Sequence, residues 1–404
     1  MTSLRSTSPA NIDWLPGLSL PSNWSESKVK YLAPGMQSGE AITAESIEPS
    51  GTYPVYGGNG LRGYTEAKTH HGTRILIGRQ GALCGNVHLV SGDFWASEHA
   101  IVACAADAVD SRWFAYLLHV MNLGQYSQTA AQPGIGIAQI NALPVPVPPL
   151  SEQRAIADCL DRETARVDTL IEEQQRLIEM LRDRRTAVIA YATSQGTDVE
   201  LRRVVAVLRQ GWSPNCESWP ADGVEEWGVL KVGCANTGRF DPTENKRLPD
   251  DVAPRPELAV RHGEIIMSRS NTKDLVGAAA LVDGIYPRLL LSDLTYGLSL
   301  SDEADPAFVA YALGSPSMRV QIRAASKGMS HSMQKISQRD IRELRVRLPA
   351  IDEQRHVAAY LDGQTAKIDA LIAETERFIE LARERRAALI TAAVTGQIDV
   401  RELV

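Results

Sequence analysis

The chemically richest stretch of this sequence is cationic. Residues 315–350 carry Arg319, Arg323, Lys327, Lys335, Arg339, Arg342, Arg345 and Arg347 against Asp340 and Glu343, a local +6. That is enough to neutralise several backbone phosphates of a nucleic acid. Within it, Lys327-Gly-Met-Ser-His-Ser-Met-Gln-Lys335 places Ser330, His331 and Gln334 between phosphate-binding cations, and these side chains can address base edges. Ser268-Arg-Ser-Asn-Thr-Lys273 adds Arg269, which can pair with guanine, Asn271, which can pair with adenine, and Lys273. The first half holds a Gly-rich loop with Tyr56, Asn59, Arg62 and Tyr64, then Arg79-Gln80 after a strand-like run, then Gln128 and Gln132 beside Gln125 and Tyr126. Any one of these could be an ordinary turn or surface residue, so they are read as groups.

Catalytic and metal chemistry finds little footing. No Asn-Pro-Pro-Tyr or Asp-Pro-Pro-Tyr appears, and no Gly-rich cofactor loop follows a strand. Gly57-Gly58-Asn59-Gly60 lacks the Gly-Lys-Ser/Thr of a P-loop. Glu-x-Lys occurs at Glu26–Lys28, Glu66–Lys68 and Glu244–Lys246, but the one Pro-Asp, at 249–250, lies downstream of all three. His70-His71 has no nearby ligand partner and reads as exposed loop. The five cysteines are scattered without a C-x-x-C pair, so no zinc site or disulfide framework is expected. No catalytic or metal residues are assigned.

What positions these loops is a duplication. Leu143-Pro-Val-Pro-Val-Pro-Pro-Leu-Ser-Glu-Gln-Arg154 returns as Leu344-Arg-Val-Arg-Leu-Pro-Ala-Ile-Asp-Glu-Gln-Arg355, 201 residues later. More than two in five of roughly 60 ungapped positions are identical, more than shared composition explains. Each copy opens a run of about 42 residues, about 60 Å as a helix. Leu160, Val167, Leu181 and Val188 fall on one heptad row, with Ile171 and Ile178 on the other. Leu361, Ile368, Leu389, Ile372 and Ile379 match them in the second copy. So narrow a stripe on so long a helix needs a partner helix, and each copy supplies one. Ser151 and Asp352 are expected as N-caps. Arg185 and Arg386 share a seam position and are read as snorkelling arginines, a register lock or docking point being the alternative.

Two mixed segments accompany the helices. Short β-type runs at 73–77 and 100–103 precede a helix expected over 111–120; runs at 263–267 and 296–300 precede one over 306–313. Order and placement repeat while sequence does not. Lys28-Val-Lys-Tyr-Leu32 resembles Glu200-Leu-Arg-Arg-Val204, and Asp399-Val-Arg-Glu-Leu403 echoes Asp198-Val-Glu-Leu-Arg-Arg203, so the tail is expected to pack near the first domain. The expected divisions are a first mixed domain at 1–150, a long helix at 151–196, a second mixed domain at 197–350 and a second long helix at 351–404.

Length and balance agree with this. The chain has 404 residues, 44% hydrophobic and 23% charged, with a net charge of −7. That composition excludes collagen-like, disulfide-scaffold and wholly disordered classes. An acidic total argues against a nucleic-acid partner. By segment, however, residues 1–150 carry −2, residues 197–350 carry 0, and the two helical segments carry −2 and −3, so the negative charge is concentrated on the helices. The polar start and the absence of an 18-residue apolar window lead us to expect a cytoplasmic chain with no membrane partner.

The doubled Glu-Gln-Arg helix starts, Ile12-Asp-Trp14 with Pro21-Ser-Asn-Trp24, Tyr53-Pro-Val-Tyr-Gly-Gly-Asn-Gly60, Ile75-Leu-Ile-Gly-Arg-Gln-Gly81 and Thr395-Gly-Gln-Ile-Asp-Val400 together resemble the specificity subunits of type I restriction–modification systems. The resemblance implies a mixed α/β fold, with two α/β target recognition domains joined by two long antiparallel coiled-coil helices in pseudo-twofold relation. It implies recognition of a bipartite, asymmetric site on double-stranded DNA by a non-catalytic subunit, the helices fixing the gap between half-sites. Two methyltransferase subunits and restriction/translocase subunits are the implied partners. No cofactor is expected on this chain; S-adenosylmethionine, ATP and Mg are expected on the partners. The competing readings are a self-sufficient methyltransferase or nuclease, and a coiled-coil scaffold without DNA readout.

Overall fold

A computed structural model describes residues 7–9, 12–15, 17, 19–127, 133–328 and 333–402. The chain forms two compact units, Met1–Gln174 with Arg377–Val404 (unit 1) and Gln175–Glu376 (unit 2). Each unit therefore owns one globular domain and a stretch of both long helices.

In unit 1, a four-stranded antiparallel sheet runs in the order Gln37–Ser38, Ala100–Ala103, Arg74–Gly78, Val87–Val90. Strand period two divides its side chains between two cores. Ile75, Ile77 and Ile101 enter the larger core with Trp113, Phe114, Leu117 and Leu118 of the helix Ser111–Val120. Leu76 and Val102 face the smaller one with Phe94 and Val90. A second sheet, Gly60–Thr65, Tyr53–Gly57, Asp93–Ala96, His70–His71, carries the Gly-rich turn. The expected 70–71 loop is thus an edge strand: His71 Nδ1 lies 2.5 Å from Asp93 Oδ1, and His70 stacks on Phe94. Backbone pairing to Asp93–Phe94 recruits both histidines structurally.

Unit 2 repeats the plan with different residues. Its main sheet has the order Val205–Gln210, Thr295–Leu300, Ile265–Ser268, Ala279–Leu281, and a three-stranded sheet joins Asn245–Arg247, Gly228–Leu230 and Leu289–Leu290. Ile265, Met267 and Leu298 face Phe308, Val309 and Leu313 of the helix Pro306–Gly314, while Ile266 and Ala280 face Leu289, Leu291 and Cys234. Arg209 reaches Glu264 at 3.0 Å through Nε and 2.5 Å through Nη2, closing a buried ion pair at the sheet edge.

The long helices span Leu150–Ala192 and Ile351–Val394. Ser151 and Asp352 lie inside the first turns, so neither is the N-cap that the sequence suggested. Pro149 and Ala350 precede the helices, and their carbonyls accept from Gln153 N and Gln354 N at 3.0 Å. The neighbouring glutamine side chains tie the helix starts down instead. Gln153 is buried; its Nε2 donates to Pro148 O and its Oε1 accepts from Asp110 N. Gln354 does the same between Pro349 O and Asp305 N. Asp110 and Asp305 are themselves the N-caps of the short helices, so each glutamine joins two helix starts in one network.

The tyrosines repeat this correspondence. Tyr116 donates to Asp161 at 2.9 Å and lies 3.4 Å from Thr164; Tyr311 donates to Asp362 at 2.7 Å and lies 3.1 Å from Thr365. Burial pushes both phenols up. The seam arginines make ion pairs between the helices, favouring the lock over simple snorkelling. Arg386 Nε sits 3.0 Å from Asp168 Oδ1 in unit 1, and Arg185 Nε sits 3.1 Å from Asp369 Oδ1 in unit 2. In unit 2 the Arg185–Asp369 and Arg182–Glu376 pairs show the helices running antiparallel. In unit 1 the tail packs inward, with Ile390, Ala393, Val394 and Val400 in one core with Ile12 and Trp24.

Candidate nucleic-acid interface

In unit 2 the ladder between Ser270–Asn271 and Gln334–Lys335 joins two candidate groups distant in sequence. Lys327 pairs with Lys335 through reciprocal backbone bonds of 2.8 and 2.9 Å, and Gln334 Nε2 donates to Gly328 O. Arg269 stands at the base of this ladder. Its N–H donates to Leu294 O, its carbonyl accepts from Ile336 N, and its Nη1 donates to Asp293 O at 3.0 Å. Asn271 Nδ2 donates to Asn236 Oδ1 at 3.0 Å. Lys273, Lys327 and Lys335 are exposed. Ser330 and His331 lie outside the described residues, on the segment that joins the two Lys-bearing ends.

Unit 1 builds an equivalent edge. Arg79 N–H donates to His99 O and its carbonyl accepts from Ile135 N, the same two backbone roles that Arg269 plays. Gln80 bridges Gly134, and Gly81 N–H donates to Pro133 O. Gln128 and Gln132 lie outside the described residues; the chain on either side of them, Ser127 and Pro133–Gly134, is held by Gly134 N donating to Ser127 Oγ and by those bonds to Gln80–Gly81. The Gly-rich turn joins this edge by close backbone approach: a Cβ at Gly58 would lie 2.9 Å from His99 O. Asn86 donates to exposed Asn59 at 3.0 Å, and Arg62 packs along Gly57. Tyr56 is partly enclosed, edge-on to Phe94. Tyr64 lies apart, at the other end of its strand, exchanging backbone bonds with Glu48. Arg79 Nη1 is braced by Ser38 Oγ at 3.2 Å.

The +6 count does not become one uniform surface. Arg345 bonds to Asp198 and Glu200 on the neighbouring strand, Arg347 donates to Ser194 O, and Arg339 pairs with Glu343. Arg319 turns inward, giving Nη2 to Asp274 O, and burial lowers its pKa. Cations that a sequence count treats alike are thus divided between bracing the fold and standing exposed at the candidate edge. Asn86 and Asn236, which hold Asn59 and Asn271, were not singled out in the sequence; each lies in a short turn without a distinguishing neighbour. Cys234 is pushed up to about 12 by burial, which leaves its thiol protonated and inert. Among the described residues, no group of three or more His, Cys, Asp and Glu is placed to hold a metal, and no helix is long and apolar enough to cross a membrane.

Residues 21–180 match the model of the type I restriction modification DNA specificity domain. The chain is 44% identical over 131 residues to the EcoprrI specificity subunit of Escherichia coli, covering 31% of this chain and 33% of that one. It is 30% identical over 160 residues to the Escherichia coli EcoEI specificity subunit, covering 39% and 27%. The aligned region thus spans about a third or less of these curated relatives. In fold, the chain resembles one solved in work on complex assembly and conformational transition of the type I R-M system, with TM-score 0.70, 16% identity, and 94% and 99% coverage. It also resembles the HsdS subunit of Thermoanaerobacter tengcongensis, with TM-score 0.52, 16% identity, and 95% and 99% coverage.

Proposed function

We propose that the chain is a specificity subunit of a type I restriction–modification system, as the match of residues 21–180 and the similarity to curated specificity subunits support, and that it reads a bipartite, asymmetric DNA site, one half with each unit, and performs no chemistry itself. The observation that carries this reading is the pair of edges built around Arg79 and Arg269, alike in backbone plan and unlike in side chains. Like plans suit two readers of one duplex, and unlike side chains suit two different half-sites. Exposed Lys327 and Lys335 supply phosphate contacts that set register, and the amide and guanidinium groups beside them supply base contacts. Two modest readers on one scaffold raise each other's effective concentration, so the full site is bound far more tightly than either half.

The partners in this reading are other restriction–modification subunits: two methyltransferase subunits docked on the paired helices, with restriction/translocase subunits joining them. S-adenosylmethionine, ATP and Mg act on those subunits, and a methyltransferase flips the target adenine. Mapping methylated adenines in the source genome by long-read sequencing, with and without this gene, tests the proposal. A motif of two unlike halves that disappears with the gene supports it. Methylation or cleavage of DNA by the purified chain alone, given S-adenosylmethionine or Mg²⁺, contradicts it.

A further inference from the structure

Immediately after the Arg269–Lys273 segment of unit 2, the chain borders a cavity of about 220 Å³, lined by Arg185, Arg319, Tyr311, Asn236, Asp274 and Leu275 among others. Two of its walls are cationic. Arg185 approaches from the first long helix and is ion-paired to Asp369. Arg319 approaches from the helix Pro316–Ala325 and gives Nη2 to the carbonyl of Asp274; its Nη1 is buried without a hydrogen-bond partner. Arg323, on the same helix, adds a further positive charge, and its nearest carboxylate, Asp274, is 3.9 Å away and largely exposed. A guanidinium nitrogen withdrawn from water without an acceptor is costly, and its forked donors match a phosphate.

Unit 1 shows the same cavity with the anions built in. There Arg386, Ile390 and Tyr116 stand where unit 2 has Arg185, Ile189 and Tyr311. Its second arginine, Arg112, meets Asp158 and Asp161 at 2.8 Å each. At the matching positions unit 2 has Ala307 for Arg112 and Ala359 for Asp158, while Asp362 is kept for Asp161 and accepts from Tyr311; Arg319 enters from the helix Pro316–Ala325 and bonds the Asp274 carbonyl rather than a carboxylate.

We propose that the unit 2 cavity takes a phosphate-class oxyanion, held by the Arg319 and Arg185 guanidiniums, which fastens the 269–275 loop to the first long helix. The volume admits a hydrated tetrahedral anion and is below the range of pockets that enclose larger ligands. The anion comes either from free phosphate or from a backbone phosphate of bound DNA, and two measurements on the full chain separate these sources.

In the first, inorganic phosphate is titrated against chloride at constant ionic strength, followed by calorimetry and thermal melting. One saturable site is expected, and the melting temperature rises by about 5 °C at about 100 times Kd. Arg319→Gln weakens binding at least tenfold, Arg319→Lys (which keeps the charge but loses the fork) weakens it less, and Arg355→Gln on the exposed start of the second long helix leaves it unchanged. In the second, the chain with its partner subunits is titrated with DNA at several salt concentrations. If the phosphate is the DNA's own, free phosphate does not bind, and Arg319→Gln lowers the slope of log affinity against log salt by about 1. No phosphate binding together with an unchanged salt slope overturns the proposal. A complex that binds no DNA at all removes the reading in the preceding subsection and leaves the phosphate titration to decide this one.

Discussion

The two units share a set of contacts to the long helices and differ at the edges built around Arg79 and Arg269. Gln153 and Gln354, Tyr116 and Tyr311, and Arg386 and Arg185 make matching contacts in unit 1 and unit 2. The edges around Arg79 and Arg269 keep only their backbone plan. Unit 1 encloses its turn with glycines and amides, whereas unit 2 raises a short ladder flanked by lysines. Repetition is retained in these contacts to the helix pair, and the edge that would discriminate a ligand keeps none of its side chains beyond the arginine. This separates scaffold energetics from recognition, and variants can test the separation.

The largest expected effect lies in a feature of unit 2. Glu264 is 1% exposed, and removing its partner by Arg209→Leu leaves a buried carboxylate without its cation, held by Arg261 N–H. A loss of about 3–5 kcal/mol is expected in denaturant unfolding, with hydrogen exchange showing the loss in unit 2 while unit 1 keeps its protection. An equal loss in both units would break the comparison. Next, Lys327→Glu with Lys335→Glu should lower DNA affinity of the assembled complex by at least tenfold and reduce the salt slope by about 2, with the fold unchanged. Salt-insensitive binding would favour a scaffold without DNA readout.

Gln153→Leu and Gln354→Leu should each cost about 1–3 kcal/mol, by similar amounts, because both leave a short-helix cap and a proline carbonyl without their partner. Unequal losses would show that the matching geometry is not matched energetically. The smallest effect concerns pH. Burial lowers the pKa of His70, His88 and His119, all in unit 1. A histidine whose folded pKa is depressed binds more protons when unfolded, so stability rises with pH between the folded and unfolded values. Unit 1 should therefore weaken as pH falls through about 6.5, before carboxylates titrate, while the ladder of unit 2 keeps its hydrogen-exchange protection. Simultaneous weakening would remove the distinction.

Much of the fold was legible because it is periodic or duplicated. The 201-residue offset and the heptad stripes announce the long helices, and short continuous apolar runs such as Ile75-Leu-Ile77 announce strands with two buried faces. The caps were less legible. Ser151 and Asp352 have the right residue types, but the helices start two residues earlier, tied down by long-range bonds from Gln153 and Gln354. The candidate site was legible as segments rather than as residues. Arg269 and Lys335 are named by type and neighbourhood, but only a 63-residue closure brings Asn271 beside Gln334. The same closure logic turns Arg345 away from the candidate edge, since the partner that occupies it, Asp198, is distant in sequence.

The most direct measurement is binding-site selection from random DNA with the assembled complex, comparing the native chain with Arg269→Gln/Asn271→Asp/Lys273→Gln. The account expects the native chain to select two unlike halves at a fixed gap. The variant should relax one half while the other half and the gap stay as they were. Relaxation of both halves, or an unchanged motif, would contradict the division of reading between the two units.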